Sequence, residues 1–278
     1  MLNFLNRLTK RKSTQSHVDP IIIYQPGKVG SSTILASLND SLNSAASETA
    51  IYHAHHLNHL EQMEADIKSK FPNPQKSLEK LAIDKELRRR IDENPNQRWN
   101  VISLTREPVA RTISTVFEML DVIFPGWKAK YQADQWDLYE MQDTIVKRYV
   151  SGPGRGDWYD TQMMTVFDID VYAQPFPHQQ GYEIYQGKNS SRLLMLRLED
   201  LNRVGQKVLS DFLNIRQFKL IQANVGEQKE YSDLYREFKK IPLPASYLEK
   251  MYSTRYARQF YTDQEIHGFY QKWIAGEA

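Results

Sequence analysis

Short apolar runs alternate with longer segments of helical periodicity along most of the chain. The predicted strands are the runs at 21–25, 50–54, 99–105, 182–186 and 192–198. Helices are expected over 31–42, 77–91, 108–120 and 199–213, and over most of the last fifty residues. The polar sequence that follows the second strand is also expected to be helical as far as residue 70. Strands that alternate with helices favour an α/β fold with a mostly parallel central sheet flanked by helices. Ligands of such sheets bind at the carboxyl ends of the strands.

The length and composition are those of one globular domain. The chain has 278 residues, of which 41% are hydrophobic and 25% charged. We expect a single domain over 20–278, with a loop-and-helix insertion at about 124–177 that is rich in aromatic residues, glycine and proline. Residues 1–19 are interpreted as a flexible basic tail, with weak contact to a membrane surface as the alternative.

Charge and cysteine content exclude several classes of function. The 36 Lys and Arg residues against 34 Asp and Glu leave a net charge of +2, which argues against a nucleic-acid partner. The sequence contains no cysteine, so thiolate metal sites and a cysteine nucleophile are excluded. No apolar run approaches the roughly 20 residues of a transmembrane helix. We expect a cytoplasmic protein.

A loop suited to binding phosphate lies between the first predicted strand and its helix, at 25–33. Its glycines let the backbone curl so that amides and the helix N-terminus point at an anion. Lys28 adds a positive charge, and Ser32 and Thr33 add hydroxyl donors. The segment lacks the GxxxxGK[ST] pattern of a Walker A loop. An ordinary Gly/Ser helix start is the alternative interpretation.

A second candidate anchor follows the third predicted strand. Arg106 stands at the end of this strand and Ser114 two helical turns later, where a guanidinium and a hydroxyl can reach a second phosphate. Arg111 on the same helix can simply form an ion pair with Glu107 or with an aspartate on the helix surface.

Taken together, the two segments resemble the paired phosphate loops of sulfotransferases that use 3′-phosphoadenosine 5′-phosphosulfate (PAPS). The resemblance rests on the PGKVGSST segment and on the RxPxxRxxS pattern from Arg106 to Ser114. It implies a P-loop-like sulfotransferase fold and PAPS as the donor, with Arg106 and Ser114 at the 3′-phosphate. The residues implied at the 5′ end are Gly27, Lys28, Val29, Gly30, Ser31, Ser32 and Thr33. The chain has Pro-Gly-Lys where that family usually has Pro-Lys, which inserts one residue.

Two further segments extend the resemblance. The Tyr-His-x-His segment at 52–55 is similar to that of hexuronate 2-O-sulfotransferases, in which such histidines serve catalysis. The YQPGKVGSST start, the LLMLRLEDLN segment at 193–202 and the aromatic C-terminal region resemble bacterial capsular polysaccharide synthesis proteins that are themselves sulfotransferase-like. The implied activity is transfer of a sulfuryl group to a hydroxyl of a saccharide, polysaccharide or glycolipid acceptor.

This reaction needs a base for the acceptor hydroxyl and a cation near the leaving oxygen. We assign His55 as the base and His53 as its partner, because alternate strand residues point to one face. Lys28 is assigned as the cation. Two alternatives stay open for the histidines. They can be hydrogen-bonded structural residues, or a zinc site completed by His59, although the implied reaction requires no metal.

Other residues at predicted strand ends and loops are weaker candidates. Arg155, Trp158 and Tyr159 can line an acceptor groove or pack in a core, and Lys229 can close over the donor or lie exposed. Glu199 and Asp200 are expected to cap a helix and orient Arg197.

Two other functions compete with sulfuryl transfer. One is a P-loop phosphotransferase that uses ATP and magnesium, which the absent Walker pair disfavours. The other is a non-catalytic subunit of polysaccharide biosynthesis that keeps the fold without the chemistry.

Overall fold

A computed structural model describes residues 19–44, 49–71, 73–150, 157–221 and 229–277. The predicted basic tail before residue 19, Arg155 and residues 222–228 lie outside these residues. The strands are β1 Ile21–Tyr24, β2 Ile51–Ala54, β3 Asn100–Thr105, β4 Tyr182–Gln186 and β5 Arg192–Arg197. The α-helices are α1 Ser31–Ser44, α2 Leu60–Lys70, α3 Gln75–Glu93, α4 Pro108–Glu118, α5 Leu120–Ile123, α6 Trp127–Gln132, α7 Leu138–Val150, α8 Thr165–Phe167, α9 Leu201–Leu213, α10 Ser232–Phe238, α11 Ala245–Tyr252, α12 Arg255–Phe260 and α13 Asp263–Ala275. A π-helix, Tyr159–Met164, runs directly into α8.

The strands form one five-stranded sheet in the order β2-β1-β3-β5-β4. Strands β2, β1, β3 and β5 pair in parallel, and β4 pairs antiparallel with β5. The antiparallel pair is a hairpin closed by a short 3₁₀ turn, where the Gly187 amide donates to the Ser191 carbonyl. The predicted α/β fold with a mostly parallel, helix-flanked sheet is therefore confirmed.

Helices cover both faces of the sheet because the central strands are apolar on both faces. Every residue of β1 and β3 is buried. One face packs against α3, the π-helix and α12, and the other packs against α1 and α9. A third core, remote from the sheet, joins α4 to α7, α10, α11 and α13. Helix α4 is thus fixed on its apolar side.

The start of α4 shows why it follows β3 so closely. Glu107 is the N-cap, and its carboxylate accepts from the amides of Val109 and Ala110, while Pro108 occupies the first turn. The same carboxylate accepts from the Tyr252 hydroxyl and from the Trp273 indole. Glu107 is therefore occupied in anchoring the helix, and Arg111 instead stacks over the Tyr256 ring with its guanidinium carbon 5.2 Å from the centroid.

Strand β5 ends one residue earlier than the sequence suggests. Leu198 begins a 3₁₀ turn that runs to Asp200 and leads into α9. The pairing with β3 ends at Thr105 and Arg197, and the Leu198 side chain packs against Gly30 in the loop after β1. In the described part of the chain, no helix is both long and apolar enough to cross a membrane.

Candidate functional site

The sheet has its topological switch point between β1 and β3. From β1 the chain moves outward to β2 and then returns to β3 on the opposite side of β1. Connections after β1 and β3 therefore diverge, which leaves a crevice at their carboxyl ends, the usual ligand position in such folds. The loop at 25–33 borders this crevice on one side and Arg106 borders it on the other.

The backbone of the loop adopts the tight path that the glycines predict. Lys28 has φ 67° and Gly30 has φ 96°, and α1 begins immediately afterwards at Ser31. Val29 is fully buried against the core, so only its backbone faces the crevice. Ser31 and Thr33 are half-buried and Ser32 is exposed in the first turn of α1. Pro26 is buried as well, so two apolar side chains hold the loop, while Lys28 stays partly exposed.

Gly30 provides a test of this loop. A Cβ at Gly30 would lie 2.6 Å from Leu198 Cδ1, and the positive φ adds strain. We expect Gly30→Ala to lower the free energy of unfolding by about 1–3 kcal/mol, as measured by urea denaturation. Gly27→Ala is the matched control, since nothing lies within 4 Å of its Cβ position and its φ is not positive. Equal stability of the two variants would contradict this account of the loop.

Arg106 joins the second segment to the loop directly. Its Nη1 donates to the Lys28 carbonyl at 3.0 Å. Its backbone is held by Tyr256, whose hydroxyl accepts from the Arg106 amide at 2.9 Å and donates to the Arg106 carbonyl at 2.7 Å. The two segments that the sequence singled out are therefore in contact, with the half-buried Arg106 between them.

Helix α4 brings Ser114 and an unpredicted residue, Glu118, to the same side of the crevice. The two residues are four apart, so they share a helix face. Glu118 Oε2 accepts from Lys28 Nζ at 3.0 Å, from Lys229 Nζ, and from the Tyr231 hydroxyl at 2.9 Å. Ser114 is half-buried one turn earlier. Lys229 is thus an ion-pair partner at the crevice and not an isolated surface lysine.

The two histidines lie next to each other, with ring centroids 4.7 Å apart. His55 lies just beyond the end of β2 and His53 lies within the strand. The Gln25 carbonyl is 2.9 Å from His55 Nδ1, and because a carbonyl only accepts, Nδ1 carries the proton. His55 Nε2 is therefore the nitrogen with the free lone pair, which is the state that a general base requires.

The surroundings of both histidines favour the neutral imidazole. Burial lowers the pKa of His55, and the positive charges of Lys80 and Lys28 lower it further, against the opposing effect of the Gln25 hydrogen bond. Burial, followed by the proximity of His55 and Lys80, lowers the pKa of His53 to about 4. Lys80 also donates to the His53 carbonyl at 2.7 Å. A neutral imidazole can accept a proton, so this environment suits the predicted role.

Two residues of the predicted insertion hold the histidine segment. Trp158 Nε1 donates to the His55 carbonyl at 2.9 Å. Gln162, 4% exposed, accepts on one oxygen from the Tyr24 hydroxyl at 2.7 Å and from the amides of Leu57 and Asn58 at 2.9 and 3.0 Å. Both residues come from the π-helix region, and π-helical turns are frequent at functional sites. The insertion thus holds the backbone of the histidine segment in place.

Several of the weaker sequence candidates have structural contacts. Tyr159 is 1% exposed and donates to the Leu104 carbonyl, which places it in the core and not in a groove. Asp200 pairs with Arg197, as expected, but its side chain does not cap α9. Glu199 accepts from the Glu107 amide at 2.8 Å and so ties the end of β5 to the end of β3.

The zinc alternative requires His59 to join His53 and His55. Among the described residues, no group of three or more His, Asp or Glu side chains is placed to hold a metal ion. His59 instead precedes α2, with a left-handed backbone.

Fold and site together define an α/β protein with a tight loop at the switch point of a mostly parallel sheet, two adjacent histidines and two lysines paired with one carboxylate. A family model described as "Putative capsular polysaccharide synthesis protein" matches residues 138–262. The match spans the π-helix, β4, β5 and the helices through α12, and so includes Trp158, Gln162 and Tyr256. It supports a role in polysaccharide biosynthesis. No curated protein and no solved structure matches the chain.

Proposed function

We propose that the chain is a sulfotransferase of polysaccharide biosynthesis that moves a sulfuryl group from PAPS to a hydroxyl of a saccharide. The observation that carries the proposal is the contact between the loop at 25–33 and Arg106 across the switch point. A donor with two separate anionic ends is the ligand that two linked anion-binding segments suit best. The likeness to capsular polysaccharide synthesis proteins favours a saccharide acceptor.

In the proposed reaction the acceptor oxygen attacks sulfur as the bond between sulfur and the bridging phosphate oxygen breaks. His55 Nε2 takes the proton from the acceptor hydroxyl, and adenosine 3′,5′-bisphosphate leaves with the bond's electron pair. Lys28 stabilises the charge that develops on the bridging oxygen. The loop amides from Gly27 to Thr33 hold the 5′ end, and Arg106 and Ser114 hold the 3′-phosphate, within a P-loop-like sulfotransferase fold.

Isothermal titration calorimetry tests the donor half of this proposal. We expect the parent protein to bind adenosine 3′,5′-bisphosphate in preference to ATP with magnesium. Arg106→Ala should weaken bisphosphate binding about 10- to 100-fold, because a hydrogen bond to a charged group contributes about 1.5–3 kcal/mol. Arg98→Ala is the matched control. Arg98 precedes the amino end of β3, whereas the crevice lies at the carboxyl ends of the strands, and Arg98 pairs with Asp19.

The other outcomes overturn the proposal in different ways. A preference for ATP with magnesium would indicate a phosphotransferase. Binding of neither nucleotide would favour a non-catalytic subunit of polysaccharide biosynthesis. Equal weakening by the Arg98 and Arg106 variants would show that overall charge, and not the crevice, governs binding.

A further inference from the structure

Glu118, at the end of α4, is surrounded by donors in a way that an ordinary surface carboxylate is not. One oxygen, Oε2, accepts from two ammonium groups and one phenol, those of Lys28, Lys229 and Tyr231. The donors come from positions 90, 111 and 113 residues away in the chain. A helical i,i+4 pair forms by local geometry, whereas this cluster requires the folded crevice.

The donors are held by packing as well as by the carboxylate. The Tyr231 ring lies 5.7 Å from the ring of Phe117, which is 1% exposed on α4. Lys229 Nζ lies 5.5 Å from the Tyr231 ring centroid. The Lys28 and Lys229 side chains are each only 27% exposed. Three converging donors with limited freedom are the arrangement by which proteins bind phosphate and sulfate oxygens.

Glu118 is an anion at neutral pH. Burial by itself would raise the pKa of this carboxyl, but the hydrogen bonds from Lys229 and Lys28 outweigh burial and lower the pKa to about 2. The carboxylate oxygen therefore has the charge and the donor set of a bound oxyanion.

We infer that Lys28, Lys229 and Tyr231 form a binding site for a phosphate or sulfate oxygen, and that Glu118 is an internal carboxylate that competes for it. Because the site lies beside the loop at 25–33, the inference rests on the proposed function for its natural ligand, the 5′-phosphosulfate end of the donor. An incoming anion takes over the three donors and displaces the Glu118 side chain, which is 45% exposed and has room to turn outward.

The sign of one substitution separates competition from positioning. With Glu118 ionised, the two lysines and the carboxylate carry a net charge of +1, and Glu118→Gln raises it to +2. If the carboxylate competes, removing its charge strengthens anion binding. If its main role is to position the lysines, the same change weakens anion binding, because both ammonium groups lose their partner.

The experiment is calorimetric titration at low salt with two probes, inorganic pyrophosphate and adenosine 3′,5′-bisphosphate. We expect Glu118→Gln to bind both probes about tenfold more tightly than the parent, equivalent to about 1.4 kcal/mol. Tyr231→Phe should weaken binding about two- to tenfold, the effect of one lost neutral donor. Glu230→Gln is the matched control, since it makes the same charge change beside Lys229 while its carboxylate pairs with Lys128 instead. Thermal melts of all variants check that each is folded.

Failure of this inference and failure of the proposed function give different results. Selective, Arg106-dependent bisphosphate binding that Glu118→Gln leaves unchanged or weakens would overturn the inference alone. Tighter pyrophosphate binding by Glu118→Gln without bisphosphate binding in any variant would support the anion site and overturn the PAPS proposal. An equal gain in Glu230→Gln, or no pyrophosphate binding by either the parent or Glu118→Gln, would overturn the inference.

Discussion

Replacement of His55 by alanine is expected to reduce turnover by about 10²- to 10⁴-fold, the usual contribution of a general base. Bisphosphate affinity should stay within about twofold of the parent value, because the imidazole acts on the acceptor and not on the donor. The loss of turnover is expected because the tautomer of His55 suits a base. The Gln25 carbonyl holds the proton on Nδ1, and so Nε2 is left to accept one. Sulfuryl-transfer assays and calorimetry on the same preparation measure the two quantities.

The pH profile adds a second readout for the same residue. The base must be neutral to act, so activity is lost as the pH falls through the pKa of His55. Burial lowers this pKa below the ordinary value of 6.5. We therefore expect the acid limb of the rate profile below pH 6.5. His267→Ala, which alters an exposed histidine on α13, is the control. Parent-like turnover in His55→Ala would remove the base assignment, and lost bisphosphate binding would indicate a structural role.

Gln162→Leu is expected to cause the largest loss of stability. The substitution removes the oxygen that accepts from Tyr24, Leu57 and Asn58. Each buried donor left unpaired costs about 1–3 kcal/mol, so the total loss is several kcal/mol. Gln162→Glu keeps acceptor oxygens in place and should lose less. Urea denaturation measures the difference, and Met164→Ala, at a 43% exposed position in the same π-helix, is the control.

An activity measurement complements the stability measurement on Gln162. The residue holds the segment that follows His55, so the folded fraction of Gln162→Glu should retain more turnover than that of Gln162→Leu at equal bisphosphate affinity. Unchanged stability of Gln162→Leu would show that water or a rearranged side chain replaces the lost acceptor.

The strands were predictable because each is a short apolar run that can be recognised without knowledge of distant residues. The runs in β1, β3 and β5 are apolar on both faces, a pattern typical of central parallel strands. The helix start at Pro108 was equally clear from its position after β3. The two candidate anchors were found for the same reason, since each joins a strand end to a helix start within ten residues.

The residues that sequence reasoning missed depend on partners far along the chain. Glu118 looks like any polar residue at the end of an amphipathic helix, and its contacts with Lys28 and Lys229 exist only in the folded crevice. Gln162 lies 138 residues from Tyr24 in the chain. Tyr159 was open to two interpretations because an aromatic beside glycines suits both a groove and a core. A weak signal was available for Glu118, which shares a helix face with Ser114.

Helix α4 has a consequence for which ligands the crevice can accept. Ser114 and Glu118 are separated by one helical turn, about 6 Å along the axis, and the helix is clamped on its apolar side by the third core. In the proposed complex the incoming anion takes the place of the Glu118 carboxylate, so this rigid helix sets the distance from the Ser114 hydroxyl to that place and acts as a ruler. Compounds that carry their two anionic groups at a different separation can reach one contact only, and the chain should discriminate among nucleotide isomers by length before it reads any base.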